Sequence, residues 1–132
     1  MYKLEDYKIY GDHAGNLVAL EQGEHFNFDV KRIYYIWGTE RNAIRGRHAH
    51  RNLKQLIVCL KGSCVFKLDD GKKVETFTLD RPTLGIFVED FVWREFTDFS
   101  PDCIVMVLAS EHYNATDYIR DYNEFLREVN DK

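Results

Sequence analysis

The sequence contains few residues that break regular structure and no long apolar run. Its 132 residues include only two prolines and eight glycines, too few for a low-complexity linker. No apolar stretch approaches the roughly 20 residues of a membrane span, and the first residues lack the apolar core of a signal peptide. We therefore expect a single globular domain over residues 1–132, located in the cytoplasm and without a membrane partner.

Cysteine is also scarce. The three cysteines, Cys59, Cys64 and Cys103, are odd in number, lie within apolar runs and lack the paired spacing of common metal sites. This pattern predicts buried, reduced thiols in a reducing compartment rather than a disulfide framework.

An excess of positive charge is missing as well, since 18 Lys and Arg face 22 Asp and Glu for a net charge of -4. That balance argues against nucleic acid polymers as partners, because domains that bind them usually carry a basic excess. The charge is uneven, however. Residues 31–54 carry seven basic side chains against the single acid Glu40, so this segment is +6 and the remainder is -10. The basic segment indicates a site for a small anion.

Short apolar and alternating runs dominate from about residue 16 to residue 109, and period-two alternation is typical of strands. Candidate strands cover residues 17–20, 30–37, 48–50, 56–60, 64–68, 74–79, 85–88, 92–96 and 103–108. Asp69-Asp70-Gly71 predicts a hairpin turn, because Gly71 tolerates the positive φ of a tight turn. So many short strands without intervening helices predict an all-β sandwich or small barrel.

The C-terminal tail instead shows helical spacing, with apolar side chains on one face at Tyr118, Tyr122, Phe125 and Val129. This spacing predicts a helix over about residues 117–129. Asn114 is its expected N-cap, and Asp117 lies near the positive end of its dipole. We expect the helix to pack on the outside of the β-body or against a second subunit.

The most informative stretch runs from Arg45 to Gln55 and contains two histidines two residues apart. Residues two apart in a strand share a face, so His48 and His50 project together, with Gly46 on the same side. The missing side chain of Gly46 leaves room for a ligand or marks a β-bulge. Two histidines at this spacing first suggest a metal site, because neutral imidazole is a common ligand of transition metals.

The spacing resembles the first motif of the cupins, a family of jelly-roll β-barrels, at His48, His50, Gln55 and Gly62. Cupins have a glutamate where Gln55 stands, and this chain has Trp93 and Arg94 where a further histidine ligand is expected. A neutral amide is a poor ligand, and a cation repels a bound divalent metal. The resemblance implies a cupin jelly roll, and because metal sites normally need three or more protein ligands, these departures predict that it works without a metal or other cofactor.

A narrower resemblance extends from about residue 15 to residue 125 and rests on motifs at 31–36, 45–50, 55–63, 92–95, 107–110 and 117–120. Their order and spacing are similar to those of the sugar 3,4-ketoisomerases that act on thymidine-diphosphate-linked 4-keto-6-deoxyglucose. The resemblance implies a homodimeric isomerase that moves the carbonyl of a dTDP-linked 4-keto-6-deoxyhexose from C4 to C3. Its product would serve the synthesis of deoxy-amino sugars for bacterial surface glycans.

The resemblance places the catalytic base at His48, with His50 and Tyr34 beside it to stabilise charge on the sugar oxygens and relay protons. Histidine suits this chemistry because its ordinary pKa of about 6.5 lets it take and give a proton near neutral pH.

We expect seven further residues to contact the substrate. They are Ala14, Arg32, Arg45, Arg47, Gln55, Trp93 and Arg94. Arg45 and Arg94 are the first candidates for the pyrophosphate, because the forked guanidinium matches phosphate oxygens. We expect Gln55 to bind a sugar hydroxyl or hold a histidine tautomer, and Trp93 to stack on the base or sugar.

Ala14 departs from the family pattern, which often has Arg or Tyr at this position near the sugar; here the stretch is Asp12-His13-Ala14-Gly15. Both C4 stereochemistries of the product therefore stay open. Three alternative functions also stay open: a 3,5-epimerase-like cupin acting on a dTDP-4-keto sugar, a non-catalytic sugar-binding cupin, and a metal-dependent oxygenase or isomerase with His48 and His50 as ligands.

Overall fold

The computed structural model describes all residues from Met1 to Lys132 and consists mainly of antiparallel strands. The strands are β1 Tyr2–Asp6, β2 Tyr10–Asp12, β3 Gly15–Leu17, β4 Arg32–Trp37, β5 Arg45–His50, β6 Gln55–Lys61, β7 Cys64–Asp69, β8 Val74–Leu79, β9 Leu84–Val88, β10 Trp93–Thr97, β11 Ile104–Ala109 and β12 Tyr118–Ile119. A short 3-10 helix covers Ala115–Asp117, and helix α1 covers Tyr122–Asn130.

Two five-stranded sheets form the body, in the orders β1-β9-β6-β11-β4 and β12-β5-β10-β7-β8. Their inner faces enclose a core cluster of 15 buried residues, in which Phe66 of β7 stacks on Phe96 of β10 with ring centroids 4.0 Å apart. The predicted jelly-roll sandwich with a C-terminal helix is confirmed. The two sheets do not pair into a closed barrel, because each keeps its own pair of edge strands.

A second apolar layer covers the outside of the first sheet. Tyr7, Phe26 and Phe28 from the N-terminal region pack against Leu56 and Val58 of β6. The first five residues of β6 are consequently buried on both faces, which explains why this strand reads as a continuous apolar run rather than as an alternating one.

The N-terminal strands differ from the prediction. Strands β1 and β2 were not expected, and the strand predicted over residues 17–20 ends at Leu17 as β3. Val18 and Leu20 instead lie in a loop whose apolar side chains cover the sheet and pack against the second cluster. By contrast, the hairpin predicted at Gly71 is confirmed: β7 pairs with β8, and Gly71 has a φ of 93°.

The C-terminal helix packs on the outside of the second sheet, as expected, where Phe125 contacts a buried cluster with Ala49, Trp93 and Ile119. Its predicted start is wrong, because α1 begins at Tyr122 rather than at residue 117. Tyr118 and Ile119 pair with β5 as strand β12, and this non-local pairing overrides their helical spacing. Asp121 caps α1, and Asn114 caps the 3-10 helix instead. No helix of the structure has the length and apolarity to cross a membrane.

Candidate active site

A cavity of about 180 Å³ lies between the two sheets, close to the histidine motif. Its polar wall consists of Tyr34, Arg45, His48, Gln55, Arg94 and Tyr118. The structure therefore brings together five of the residues singled out from the sequence, drawn from strands β4, β5, β6 and β10.

A β-bulge shapes the strand that carries the histidines. The pairing of β5 with β10 shifts by one residue between Gly46 and His48, which leaves Arg47 as the extra residue. Gly46 and Arg47 have φ values of 82° and 57°, and a Cβ on Gly46 would lie 2.8 Å from the carbonyl oxygen of Arg94. Of the two interpretations of Gly46, the bulge is the one observed. Arg47 is exposed and, contrary to the expected substrate contact, lies outside the cavity wall.

His48 is set up as a neutral base. Its Nδ1 lies 3.0 Å from the carbonyl oxygen of Gly46, and because a carbonyl only accepts, Nδ1 donates and Nε2 keeps its lone pair. Burial and the nearby positive charge of Arg94 lower the pKa of His48 to about 4. The imidazole is consequently uncharged at neutral pH and can accept a proton.

His50 lies beside His48, as expected, but is not among the residues that line the cavity, so its role at the sugar oxygens stays a prediction. It is 2% exposed, and its Nδ1 is 3.0 Å from Oδ2 of Asp117. The other carboxylate oxygen of Asp117 accepts from the backbone N–H groups of Arg51 and Asn52. Burial and the charge of Arg94 lower the pKa of His50. This anchored ring fixes one side of His48, since the two imidazole centroids are 4.7 Å apart.

Arg94, Gln55 and Tyr34 form a chain of hydrogen bonds along the cavity. Nη1 of Arg94 donates to Oε1 of Gln55 at 2.6 Å, and Nε2 of Gln55 donates to the Tyr34 hydroxyl at 3.0 Å. Gln55 therefore contacts Arg94 and Tyr34 rather than a histidine, so of its two expected roles the histidine contact is wrong, and the contact with a sugar hydroxyl stays a prediction. Because the Tyr34 oxygen accepts from Gln55, its own proton remains free for another acceptor. Burial raises the pKa of Tyr34, and the positive charge of Arg94 opposes that rise.

Arg94 is a buried cation without a counter-ion in direct contact. Its side chain is fully buried, and its acceptors are the carbonyl oxygens of Val92 and Glu89 and the Gln55 amide. Burial lowers the pKa of Arg94 to about 10, so the guanidinium is still protonated at neutral pH. A fixed positive charge in a low-dielectric wall is suited to stabilise an anion that forms in the cavity.

Trp93, Arg32 and Ala14 lie outside the cavity wall. Trp93 alternates with Arg94 along β10 and therefore faces the helix. Its ring centroid is 5.3 Å from that of Tyr122, and its Nε1 donates to Glu95, so stacking on the substrate was wrongly expected. Arg32 does share a face with Tyr34, with its guanidinium 5.2 Å from that ring and its Nε buried without a partner. Ala14 lies in the exposed turn between β2 and β3.

Three residues of the site were missed from the sequence. Besides Asp117, they are Tyr118, whose ring centroid is 4.8 Å from that of His48, and Arg120, whose guanidinium lies 4.3 Å from the Tyr118 ring. Helical spacing had assigned all three to the C-terminal helix. The only available signal was the motif at 117–120, which belongs to the resemblance.

A larger groove of about 500 Å³ lies on the outside of the first sheet, lined mainly by apolar side chains such as Leu17, Val58 and Met106. Its single charged residue is Arg81. Because this groove has no pair of acid and base groups, the smaller cavity is the better candidate for proton transfer.

The jelly-roll fold, with a neutral imidazole, a phenol and a buried cation around one cavity, defines a cupin-type protein equipped for acid–base chemistry. The chain belongs to the family described as FdtA, WxcM-like, C-terminal, whose model matches residues 1–130. These findings confirm the family expected from the sequence motifs.

Relatives of known activity match nearly the whole chain. The TDP-4-oxo-6-deoxy-alpha-D-glucose-3,4-oxoisomerase of Aneurinibacillus thermoaerophilus is 46% identical over 127 residues, which are 96% of this chain and 91% of the relative. A 3,4-ketoisomerase from Helicobacter canadensis superposes with a TM-score of 0.94 at 43% identity, covering 98% of this chain and 97% of that one. A mutant of the QdtA 3,4-ketoisomerase from Thermoanaerobacterium thermosaccharolyticum, in complex with TDP-4-keto-6-deoxyglucose, superposes with a TM-score of 0.94 at 35% identity, covering 99% and 95%.

Proposed function

We propose that this protein is an isomerase that converts TDP-4-keto-6-deoxyglucose into the corresponding 3-keto sugar nucleotide. The near full-length similarity to 3,4-ketoisomerases supports this function. The observation that carries it in the structure is the neutral His48, which shares one cavity with the phenol of Tyr34 and the buried cation of Arg94.

The first step removes the proton from C3 of the sugar, which the C4 carbonyl makes acidic. Nε2 of His48 takes this proton, and the electron pair of the C–H bond moves into the C3–C4 bond while the C4 oxygen becomes anionic. Arg94 stabilises this enediolate, because its charge is already in place and has no carboxylate in direct contact.

The second step delivers a proton to C4 and leaves the ketone at C3. The hydroxyl on C3 passes its proton to the C4 oxygen, electrons return through the C3–C4 bond, and C4 takes a proton from the imidazolium of His48, which becomes neutral again. We assign the transfer between the two oxygens to Tyr34, whose hydroxyl proton is free because its oxygen accepts from Gln55. No oxidant or reductant is consumed, since the carbonyl and the hydroxyl exchange places within one molecule.

Arg45 is our first candidate for the pyrophosphate, because it lines the cavity and is exposed to solvent. Arg120, exposed and stacked on Tyr118, is the second. Arg94 is buried too deeply for a phosphate in solvent and belongs with the sugar. We retain Arg32 as a contact, because its unpartnered Nε lies on the Tyr34 face.

We further propose a homodimer that uses the exposed side of edge strand β4. Ile33, Tyr35 and Trp37 alternate along this strand and are 57%, 63% and 68% exposed. An edge strand with a row of large exposed apolar side chains is typical of an interface. Ala14 lies outside the cavity of its own chain, so a role for it beside the sugar requires the hairpin of a second copy.

The proposed setting is the bacterial cytoplasm, where the product would enter the synthesis of deoxy-amino sugars for surface glycans. Three free, buried cysteines support a reducing compartment.

The decisive experiment incubates the protein with TDP-4-keto-6-deoxyglucose in heavy water and follows the product by NMR. A 3-keto sugar with deuterium at C4 supports the proposal, whereas deuterium at both C3 and C5 of an unmoved ketone would indicate epimerisation. Asn in place of His48 should abolish turnover. Unchanged substrate with the wild-type protein would favour a sugar-binding module, and loss of turnover after chelation would favour a metal-dependent reaction.

A further inference from the structure

Three cysteines from different strands meet at the end of the sandwich that is remote from the histidines. Cys59 lies on β6, Cys64 begins β7, and Cys103 precedes β11. Their sulfur atoms all lie within 4.8 Å of one another, and Sγ of Cys59 is 3.7 Å from Sγ of Cys103. Cys59 is four residues along β6 from Gln55, which separates the cluster from the cavity by roughly 13 Å.

We propose that Cys59, Cys64 and Cys103 form a binding site for one soft monovalent cation, for which Cu(I) is the probe. Three sulfur ligands about 2.3 Å from a metal ion and in one plane with it lie about 4.0 Å from each other. The sulfur separations are close to this value, at 3.7 Å for Cys59 and Cys103 and no more than 4.8 Å for the other pairs, so small side-chain rotations bring all three thiols to an ion. They are too long for a disulfide, whose sulfurs lie about 2.05 Å apart.

The donor set selects the type of ion. The cluster offers sulfur alone, without a histidine or carboxylate ligand, and soft thiolate ligands select Cu(I), zinc or iron–sulfur clusters. A structural zinc ion normally takes four protein ligands in a tetrahedron, and here three are present. Trigonal sulfur coordination therefore favours a soft monovalent ion over zinc.

The surroundings of the cluster point to the same ion. The three thiols are buried in an apolar core, with Phe99 and Val105 in the same cluster. A monovalent ion bound to one thiolate and two neutral thiols carries no net charge, which limits the cost of burying the site. The proton displaced from that one thiol is released to solvent, and copper remains Cu(I).

Two turns separate the cluster from solvent. The backbone N–H of Ser63 donates to Oγ of Ser100, and the N–H of Ser100 donates to the carbonyl of Ser63, both at 2.9 Å. Pro101 and Asp102, which follow Ser100, are exposed. An ion therefore needs to pass only one layer of turn residues, between two loops joined by two hydrogen bonds.

The test is an anaerobic titration of the reduced full-length protein with Cu(I) in competition with a chromophoric chelator, followed by X-ray absorption of the bound copper. We expect one copper per chain with sulfur neighbours. Because loss of an outer-sphere partner of a metal site costs roughly 10- to 100-fold in affinity, Cys59→Ser, Cys64→Ser and Cys103→Ser should each weaken binding by at least about 100-fold.

His48→Asn is the matched control, since it removes an imidazole from the other end of the sandwich and should leave copper affinity unchanged. The proposal is overturned if the wild-type protein retains no copper, if absorption shows nitrogen or oxygen neighbours, or if all three serine variants bind as tightly as wild type. The spectrum of wild-type protein decides the matter even where a serine variant fails to fold.

Discussion

Removing the charge of Arg94 should both slow the reaction and change its dependence on pH. The guanidinium has two separable effects in the structure: it faces the cavity as an unneutralised cation, and it lowers the pKa of His48. Arg94→Met keeps most of the side-chain volume and removes the charge. Two independent readouts therefore follow from one substitution.

The surroundings of Arg94 set the expected loss of kcat and the expected shift of the His48 pKa. Loss of one preorganised group that stabilises a developing oxyanion costs about 100- to 1000-fold in kcat, or roughly 2.7 to 4 kcal/mol. The pKa of His48 should rise from about 4, because the substitution removes the positive charge of Arg94 that helps to lower it. Burial remains the largest cause, so the new value should stay below the ordinary value of about 6.5.

The assay is the pH profile of kcat/KM, followed by NMR of the 3-keto product. The acid limb reports the proton-accepting group of the free enzyme and should move to higher pH in Arg94→Met. Arg94→Lys retains a charge and should show a smaller shift. Arg81→Met removes an arginine that is exposed and paired with Asp6 and Asp80, and it should match wild type. Unchanged kcat together with an unmoved acid limb in Arg94→Met would refute the assigned role of this cation.

Three further predictions concern the groups around Arg94. Tyr34→Phe should lower kcat by about 100-fold or more with little change in KM, as expected for loss of a proton-transfer group from an otherwise intact wall; stopped-flow or NMR rates test this. Asp117→Asn turns an amide toward Nδ1 of His50 and should lower the free energy of unfolding by about 1 to 3 kcal/mol in urea titrations. Stability should also fall as pH drops below 6.5, because the unfolded chain protonates its histidines while buried His48 and His50 remain neutral. The slope of the free energy of unfolding against pH should approach 1.4 kcal/mol per pH unit for each such histidine and vanish above about pH 7. Thermal unfolding at constant ionic strength tests this, and a stability that rises as the pH falls would contradict it.

The sequence predicts those site residues that local spacing controls. His48, Tyr34 and Arg94 all line the cavity, because a motif on one strand and alternation along a strand determine which face a side chain occupies. Trp93 was wrongly placed at the site together with Arg94, because neighbouring residues of a strand point to opposite faces of the sheet. Asp117 and Tyr118 were missed because their spacing fits a helix that starts at residue 117, whereas Asp117 ends a 3-10 helix and Tyr118 pairs with β5. Contacts between residues 67 positions apart, such as that of His50 with Asp117, leave no local pattern.

The two residues that depart from the metal-binding cupin motif, Gln55 and Arg94, contact each other in the structure. Gln55 stands where the motif has a ligating glutamate, and Arg94 lies in the region that normally adds a histidine; the two side chains are joined by a hydrogen bond of 2.6 Å. A carboxylate at position 55 would neutralise the guanidinium of Arg94, whereas the amide of Gln55 leaves that positive charge available to the cavity. The amide also donates a hydrogen bond to the Tyr34 hydroxyl. The same charge disfavours a divalent cation beside the histidines, and together with burial, the larger cause, it lowers the pKa of His48 so that the imidazole stays neutral. In the proposed mechanism, this pair of residues supplies the charge that stabilises the enediolate at a position where the cupin motif has metal ligands.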